Sequence, residues 1–315
     1  MLKSQYFGIE IEMTGATRNE VASAIARFFG TTYNYIGGPY DAYQIIDGNG
    51  RTWKVVSDAS IRPERASQLS NGKFGYTPCS EMQRRVELVS PKLRYEDIER
   101  LQELVREIRK TGAKANTSCG IHIHVDAANH TGQSLKNLLM IMYSKEDLLY
   151  KALQVHPTRE ANYCRKVKDT MIQRVQGCKV LSLDQLKDFW YDGQTYRASQ
   201  HYDNSRYAAL NLHNVWFRGT VEFRLFNGTM HAGKIKAYIH LCLAISAQAI
   251  EQKRARAEKT QTGNDKFTFR TWLLRLGMIG DEFKNTREHL LANLEGDSAW
   301  RYDKNTYPAN QRVAV

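Results

Sequence analysis

Ile9-Glu10-Ile11-Glu12-Met13 alternates apolar and acidic side chains, and three later segments repeat the alternation: Arg85-Val86-Glu87-Leu88, Ile121-His122-Ile123-His124-Val125 and Val221-Glu222-Phe223-Arg224-Leu225. A period of two marks a strand with unlike faces. Ionisable residues two positions apart project to one side, and their apolar neighbours project to the other. Joined in one sheet, the four segments bury their apolar face against helices. The opposite face then carries Glu10, Glu12, Arg85, Glu87, His122, His124, Glu222 and Arg224. The expected class is α+β, with helices on the outer face of an antiparallel sheet.

The rest of the chain supplies those helices. Thr17-Arg18-Asn19-Glu20 is a capping box opening a helix that runs to about Phe29. Ile98, Leu101, Leu104, Val105 and Ile108 have helical spacing within 95–110. Helical patterns also cover 133–174 with a break at His156-Pro157, 183–191, 232–252 and two segments after Phe269. Asp47-Gly48-Asn49-Gly50 signals a hairpin between 43–46 and 52–56. A second hairpin is expected from 212–217 and 220–226 across Arg218-Gly219. Residues 30–50 read mainly as turns, 62–80 and 194–205 as polar loops, 82–89 as a strand, and 113–126 as a strand interrupted near Gly120. With no repeat or low-complexity linker, the expectation is a single catalytic domain over 1–315, with a C-terminal helical extension from about 255 packed on it.

Composition narrows the function classes. Hydrophobic content of 42% and charged content of 25% are those of an ordinary globular chain. No run approaches the roughly 18 apolar residues of a membrane helix, and MLKSQYFGIEIEM has no signal-peptide pattern. Five widely spaced cysteines without a CxxC read as reduced thiols, so the expected location is cytoplasmic. The net charge of +12, densest over Lys253–Lys259, suits ATP, acidic substrates or nucleic acid, though nucleic-acid binding is not the favoured main function.

A half-exposed sheet has a wet face, and that explains any one of the four strands. It explains the set less well. Crowded carboxylates repel, raise one another's pKa and call for cations. Oxygen donors with one or two imidazoles suit magnesium, with manganese also fitting. Four glutamates exceed what one magnesium uses beside water and phosphate, so two or more ions on a triphosphate fit better. A catalytic zinc held by His122, His124 and a glutamate is the rival arrangement.

FGIEIEM (7–13), VELVSP (86–91), GIHIHVD (120–126), RYAALN (206–211) and TVEFRLFNGT (220–229), in this order, resemble the amidoligase family of carboxylate–amine ligases. The resemblance spans roughly residues 5 to 250, and more weakly the helices FRTWLLRLGM and TREHLLANL. It implies a glutamine synthetase-like catalytic domain with a curved antiparallel sheet. It also implies ATP with two or more magnesium ions, and amide or isopeptide formation through an acyl phosphate. The implied metal ligands are Glu10, Glu12, Glu87, His122 and Glu222. His122, His124, Arg224 and Arg85 would serve the nucleotide, with Glu12, Glu87 and Arg224 catalytic. Arg206 and Asn211 would lie at the substrate end, and so, more loosely, would Trp53, Asp58 and Ser60 of WKVVSDAS. The partners would be a carboxylate donor and an amine acceptor, free or on a polymer, with no membrane role. A phosphotransferase on the same fold, a metal-dependent phosphoesterase or nuclease, and a non-catalytic nucleic-acid binder are the alternatives. The loops 62–80 and 194–205 are candidate lids.

Overall fold

The structure is a computed structural model that describes residues 1–70, 72–179 and 181–301. The polar end expected beyond the last helix lies outside the described residues. Its strands are β1 (Phe7–Met13), β2 (Tyr33–Gly37), β3 (Ala42–Ile46), β4 (Thr52–Val56), β5 (Glu64–Gln68), β6 (Phe74–Pro78), β7 (Val86–Val89), β8 (Gly120–Asp126), β9 (Leu210–Asn211) and β10 (Thr220–Asn227). Its α-helices are α1 (Arg18–Phe29), α2 (Ile98–Arg109), α3 (Gly132–Leu153), α4 (Pro157–Asn162), α5 (Asp169–Gly177), α6 (Leu183–Trp190), α7 (His213–Phe217), α8 (Ala232–Glu251), α9 (Asp265–Arg275) and α10 (Lys284–Leu291).

Eight strands form one sheet in the order β2-β3-β4-β7-β1-β8-β10-β9, and every pairing is antiparallel. The mixed, large-sheet architecture agrees with the α+β expectation. The four alternating segments are the adjacent strands β7, β1, β8 and β10. Their apolar-face residues Ile9, Ile11, Leu88, Ile121, Ile123, Val221 and Phe223 are buried in the main apolar cluster. Helix α1 packs on β3 and β4, and α8 packs on β8. Helix α2 bridges α1 and α8, while α3 and α10 lie against α8. The apolar stripe of α2 is buried as its spacing requires. Phe269, Trp272 and Leu290 of the C-terminal helices join the same cluster.

A break in β10 positions the site. Phe223 pairs with Ile123, but Phe226 pairs with Ile121, so the register shifts by one residue between them. Such a bulge lets Phe223 and Phe226 both reach the core, although their spacing of three would otherwise put them on opposite faces.

Several local expectations are corrected. Residues 62–80 are not an irregular loop; they contain the two-stranded hairpin β5-β6, pinned by Glu64 to Lys114 and Asn116 and by Tyr76 to the Gly112 carbonyl. Residues 30–41 include β2, an edge strand whose polar and aromatic side chains hide its pattern. Residues 82–84 form a 3₁₀ turn, so the strand begins only at Val86. The expected strand 113–126 is reduced to β8, preceded by a single bridge between Thr14 and Lys114. The expected strand 212–217 is instead α7: the Asn211 side-chain oxygen accepts the His213 N–H at 2.9 Å and turns the chain out of the sheet.

Ile123 is fully buried between the two histidines of β8. Ile123→Ala should cost about 2–5 kcal/mol, read as a lowered urea midpoint at unchanged m-value.

Candidate active site on the polar sheet face

Register brings the ionisable residues together. Glu12 stands opposite Glu87, Glu10 opposite His122, and His124 opposite Glu222. Directly paired residues on adjacent strands have Cβ atoms about 4.5–5.5 Å apart. The result is a diagonal strip across β7, β1, β8 and β10. Three triads along it each offer ligand atoms within 4.8 Å of one another: Glu12, Asp58 and Glu87; Glu10, Glu87 and His122; Glu10, His124 and Glu222. Glu87 is shared by the first two and Glu10 by the last two. The two histidines fall in different triads, so the two-histidine arrangement that zinc would want is not formed among the described residues.

The strip is held from beneath and from its ends. The Gly120 N–H donates to Glu12 Oε2 at 2.6 Å. His122 Nδ1 lies 3.1 Å from Glu10 Oε2 and 3.7 Å from Glu222 Oε1. Glu222 is clamped on both oxygens: Asn211 and Asn214 donate to Oε2 at 2.5 and 2.6 Å, and Arg224 pairs with Oε1. Arg224 is itself buried and reaches the Tyr163 carbonyl at 3.5 Å. Arg218 approaches Glu10 Oε1 at 3.4 Å and His201 Nε2 at 3.3 Å. Gly120 leaves room for the buried Arg159 guanidinium, which would lie 2.2 Å from a Cβ at that position.

The charges are unevenly matched. Burial, then the charges of Glu10, Glu12 and Asp58, push the Glu87 carboxyl well above the usual range. Burial would also raise Glu10, but His124 and His122 outweigh it and hold that carboxyl well below the usual range. Burial is likewise outweighed at Glu222, where Arg224, His124 and His122 bring the pKa down to about 2. Burial works to lower His124, yet Glu10 and Glu222 raise it above its ordinary value. His124 Nε2 lies 3.4 Å from Glu10 Oε1 and 3.9 Å from Glu222 Oε1, in ion-pair contact with both but without hydrogen-bond geometry. Carboxylates that face each other across the strands, with Glu87 pushed toward its neutral form, fit residues that would hold cations. The donor set, oxygen-rich with separate imidazoles, fits magnesium or manganese.

At one end of the strip, a small cavity is bordered by Glu10, Glu222, Arg206, Arg218, His201 and His213. At the β1 end, Gly8 stands opposite His124 and borders a cleft of about 340 Å³ that also touches Lys92, Pro91 and Arg218.

The other expected residues divide as follows. Asp58 joins a triad rather than only a substrate end. Ser60 lies beside it, its N–H held by Asp58 Oδ1 at 2.6 Å. Arg206 reaches the small cavity. Asn211 is 1% exposed and saturated by Glu222 and His213, so it positions Glu222 and offers no face to a substrate. Trp53 is a correction: it points into the core at 2% exposure, with its indole N–H on Asp47, because it shares the buried side of β4 with Val55. Arg85 precedes β7 at the exit of the 3₁₀ turn, and its Nε is buried without a hydrogen-bond partner. Asn214 and Arg218 went unseen in the sequence, and the spacing of His201 and His213 gave no sign of a ligand role. Asn214 and His213 lay in a segment read as a strand, and Arg218 in a presumed turn. The polar residues of Asn211-Leu212-His213-Asn214, inside an apolar run, were the available signal.

Glu87→Gln tests the electrostatics. With the native carboxyl pKa raised above the unfolded value, the stability of the cation-free protein is fully present below the unfolded pKa and falls as pH rises through the native one. Glutamine cannot ionise. In EDTA, the variant's Tm advantage over the parent should therefore grow between pH 5 and pH 8; an advantage constant with pH would contradict the assignment.

Among the described residues, no helix is long and apolar enough to cross a membrane, and the five cysteines are free thiols. No curated protein matches the chain. A family model described as "putative amidoligase enzyme" matches residues 3–246 and so spans β1 to α8, including the whole acidic strip. With well over half of its length matched, the chain belongs to this amidoligase family.

Proposed function

We propose that the chain is an ATP- and magnesium-dependent carboxylate–amine ligase that forms an amide or isopeptide bond through an acyl phosphate, on a glutamine synthetase-like sheet. The observation that carries this reading is the run of three triads with shared members. One ion needs one triad. A run sharing Glu10 and Glu87 suits several ions along an extended polyanion such as a triphosphate. Membership of an amidoligase family supports the bond type.

Glu10, Glu12, Glu87, His122 and Glu222 would hold the ions, with Asp58 and His124 at the two ends. Bound magnesium would neutralise phosphate oxygens and orient them. The chain's own residues do the rest. A carboxylate is a poor electrophile because its oxygen leaves badly, and transfer of the terminal phosphoryl group to it creates a good leaving group. Arg224, fixed by Glu222, and Arg218, beside Glu10, supply positive charge where the transferred group's charge develops. Arg206 at the small cavity orients the carboxylate donor. A carboxylate on the polar face, acting as a base, takes the proton from the ammonium acceptor, and the amine then displaces phosphate. The segment 194–205, which contributes His201 to the cavity and whose Tyr202 hydroxyl contacts the Tyr40 hydroxyl, serves as a lid that limits hydrolysis. An ATP-using enzyme of this kind suits a cytoplasmic setting.

The test measures ADP release with ATP, magnesium and a matrix of carboxylates and amines. Release that depends on both partners, with a new amide seen by mass spectrometry, is the expected result. ADP with a stable phosphorylated product and no acceptor would mean a phosphotransferase instead; no ADP with any pair would sink both. Glu12→Gln should lower kcat at least about 100-fold with an unchanged circular dichroism spectrum. Arg206→Ala should raise KM for the carboxylate donor about tenfold, roughly 1.4 kcal/mol, with a smaller change in kcat.

A further inference from the structure

A large concavity lies away from the sheet. It lies on the helical side, between α3, the end of α8, α9 and the connecting segment 252–264, and no residue of the acidic strip borders it. At about 1530 Å³ it exceeds the roughly 300–1,000 Å³ of small-molecule pockets. It is a groove of a size for a polymer.

Its charge is one-sided. Lys145, Arg254, Arg256, Lys259, Arg275 and Arg301 line it, against only Glu258 and Asp297. Lys259 is spent on Glu146 and Asp147. Arg254, Arg256 and Arg275 form no ion pair with any described residue. Lys145 and Arg275 sit close enough to repel, and burial followed by Arg275 lowers the Lys145 pKa. These cations are gathered by ordered backbone. The Ala255 N–H donates to Asn137 Oδ1 at 3.1 Å, the Thr260 N–H donates to the Ser144 carbonyl at 3.0 Å, and Lys145 donates to Thr260. Ala255 and Ala257 pack inward on the core, while Arg254 and Arg256 face out. The segment is thus a tied strap presenting arginines at alternate positions. Trp300, which also lines the groove, is 53% exposed. Arginine forks suit phosphates, and an exposed indole suits an unpaired base.

We infer that this groove binds single-stranded nucleic acid, with Arg254, Arg256 and Arg275 on phosphates and Trp300 against a base. The strap, rather than the net charge alone, creates the site. This site is separate from the ligase reading, and either can stand without the other.

The experiment titrates a fluorescein-labelled single-stranded RNA oligonucleotide with the full chain and follows anisotropy over a salt series. Binding should weaken with salt. The triple variant Arg254→Gln/Arg256→Gln/Arg275→Gln should bind at least tenfold more weakly, and its slope of log K against log salt should be shallower by about 2, at roughly 0.7 per lost phosphate contact. Trp300→Ala should lose about tenfold with the slope unchanged. Arg106→Gln, on the exposed face of α2, should match the parent. All the substituted side chains are exposed, and circular dichroism checks their folding. Equal binding by parent and triple variant, no binding by the parent at low salt, or competition by polyglutamate as effective as by unlabelled RNA would each overturn the inference.

Discussion

Two carboxylates facing each other across a pair of strands set the terms for this protein. Glu12 and Glu87 are registered directly opposite on β1 and β7, and like charges so placed destabilise a sheet. Asp58 stands in the same triad and adds to the repulsion. The apolar underside of the sheet must outweigh that cost. Ile9, Ile11, Leu88, Ile121 and Ile123, sealed by α2 and α8, do so continuously under the strip. Proton uptake by Glu87 is one relief from the repulsion, and a cation is the other. The first leaves a neutral acid; the second leaves the strip ready to receive phosphate.

The rest of the site follows from holding the other acids still. Glu222 has both oxygens engaged by Asn211, Asn214 and Arg224, so little rotamer freedom remains to be lost on binding. Glu10 is less confined, placed between two imidazoles and Arg218. Like Glu87 it is common to two triads, and some freedom suits a shared ligand. The bulge in β10 connects this arrangement to the core, because it lets Arg224 lie beside Glu222 while Phe223 and Phe226 both stay buried.

Much of this was legible in the chain because two periods coincide with it. Alternation in four segments gave the strands and the composition of the polar face; the helical spacing of Ile98 to Ile108 gave the cover. Register was not legible: nothing in IEIEM or VELV says that Glu12 meets Glu87 and not Glu10. Side chains that owe their place to a neighbour were missed too. Asn214 depends on α7, which begins where the Asn211 side chain accepts the His213 N–H, and local pattern alone favoured a strand there. Trp53 was misplaced because the loose WKVVSDAS likeness ran across the boundary of β4; Asp58, beyond the strand, reaches the polar face while Trp53, within it, turns to the core. The hairpin at 64–78 was hidden by its polar composition, which reflects the absence of a buried face.

Gly8 is the second residue of an otherwise bulky strand, where glycine costs backbone order and brings no side chain to pack. A methyl group there would make only ordinary contacts, the nearest being Ser90 at 3.8 Å, so steric necessity does not explain it. What the missing side chain does is keep a sill low between the cleft beside Lys92 and the imidazole of His124. That one gap in the row of side chains lets the cleft run up to Glu10 and His124, so that the strip and the cleft share a border.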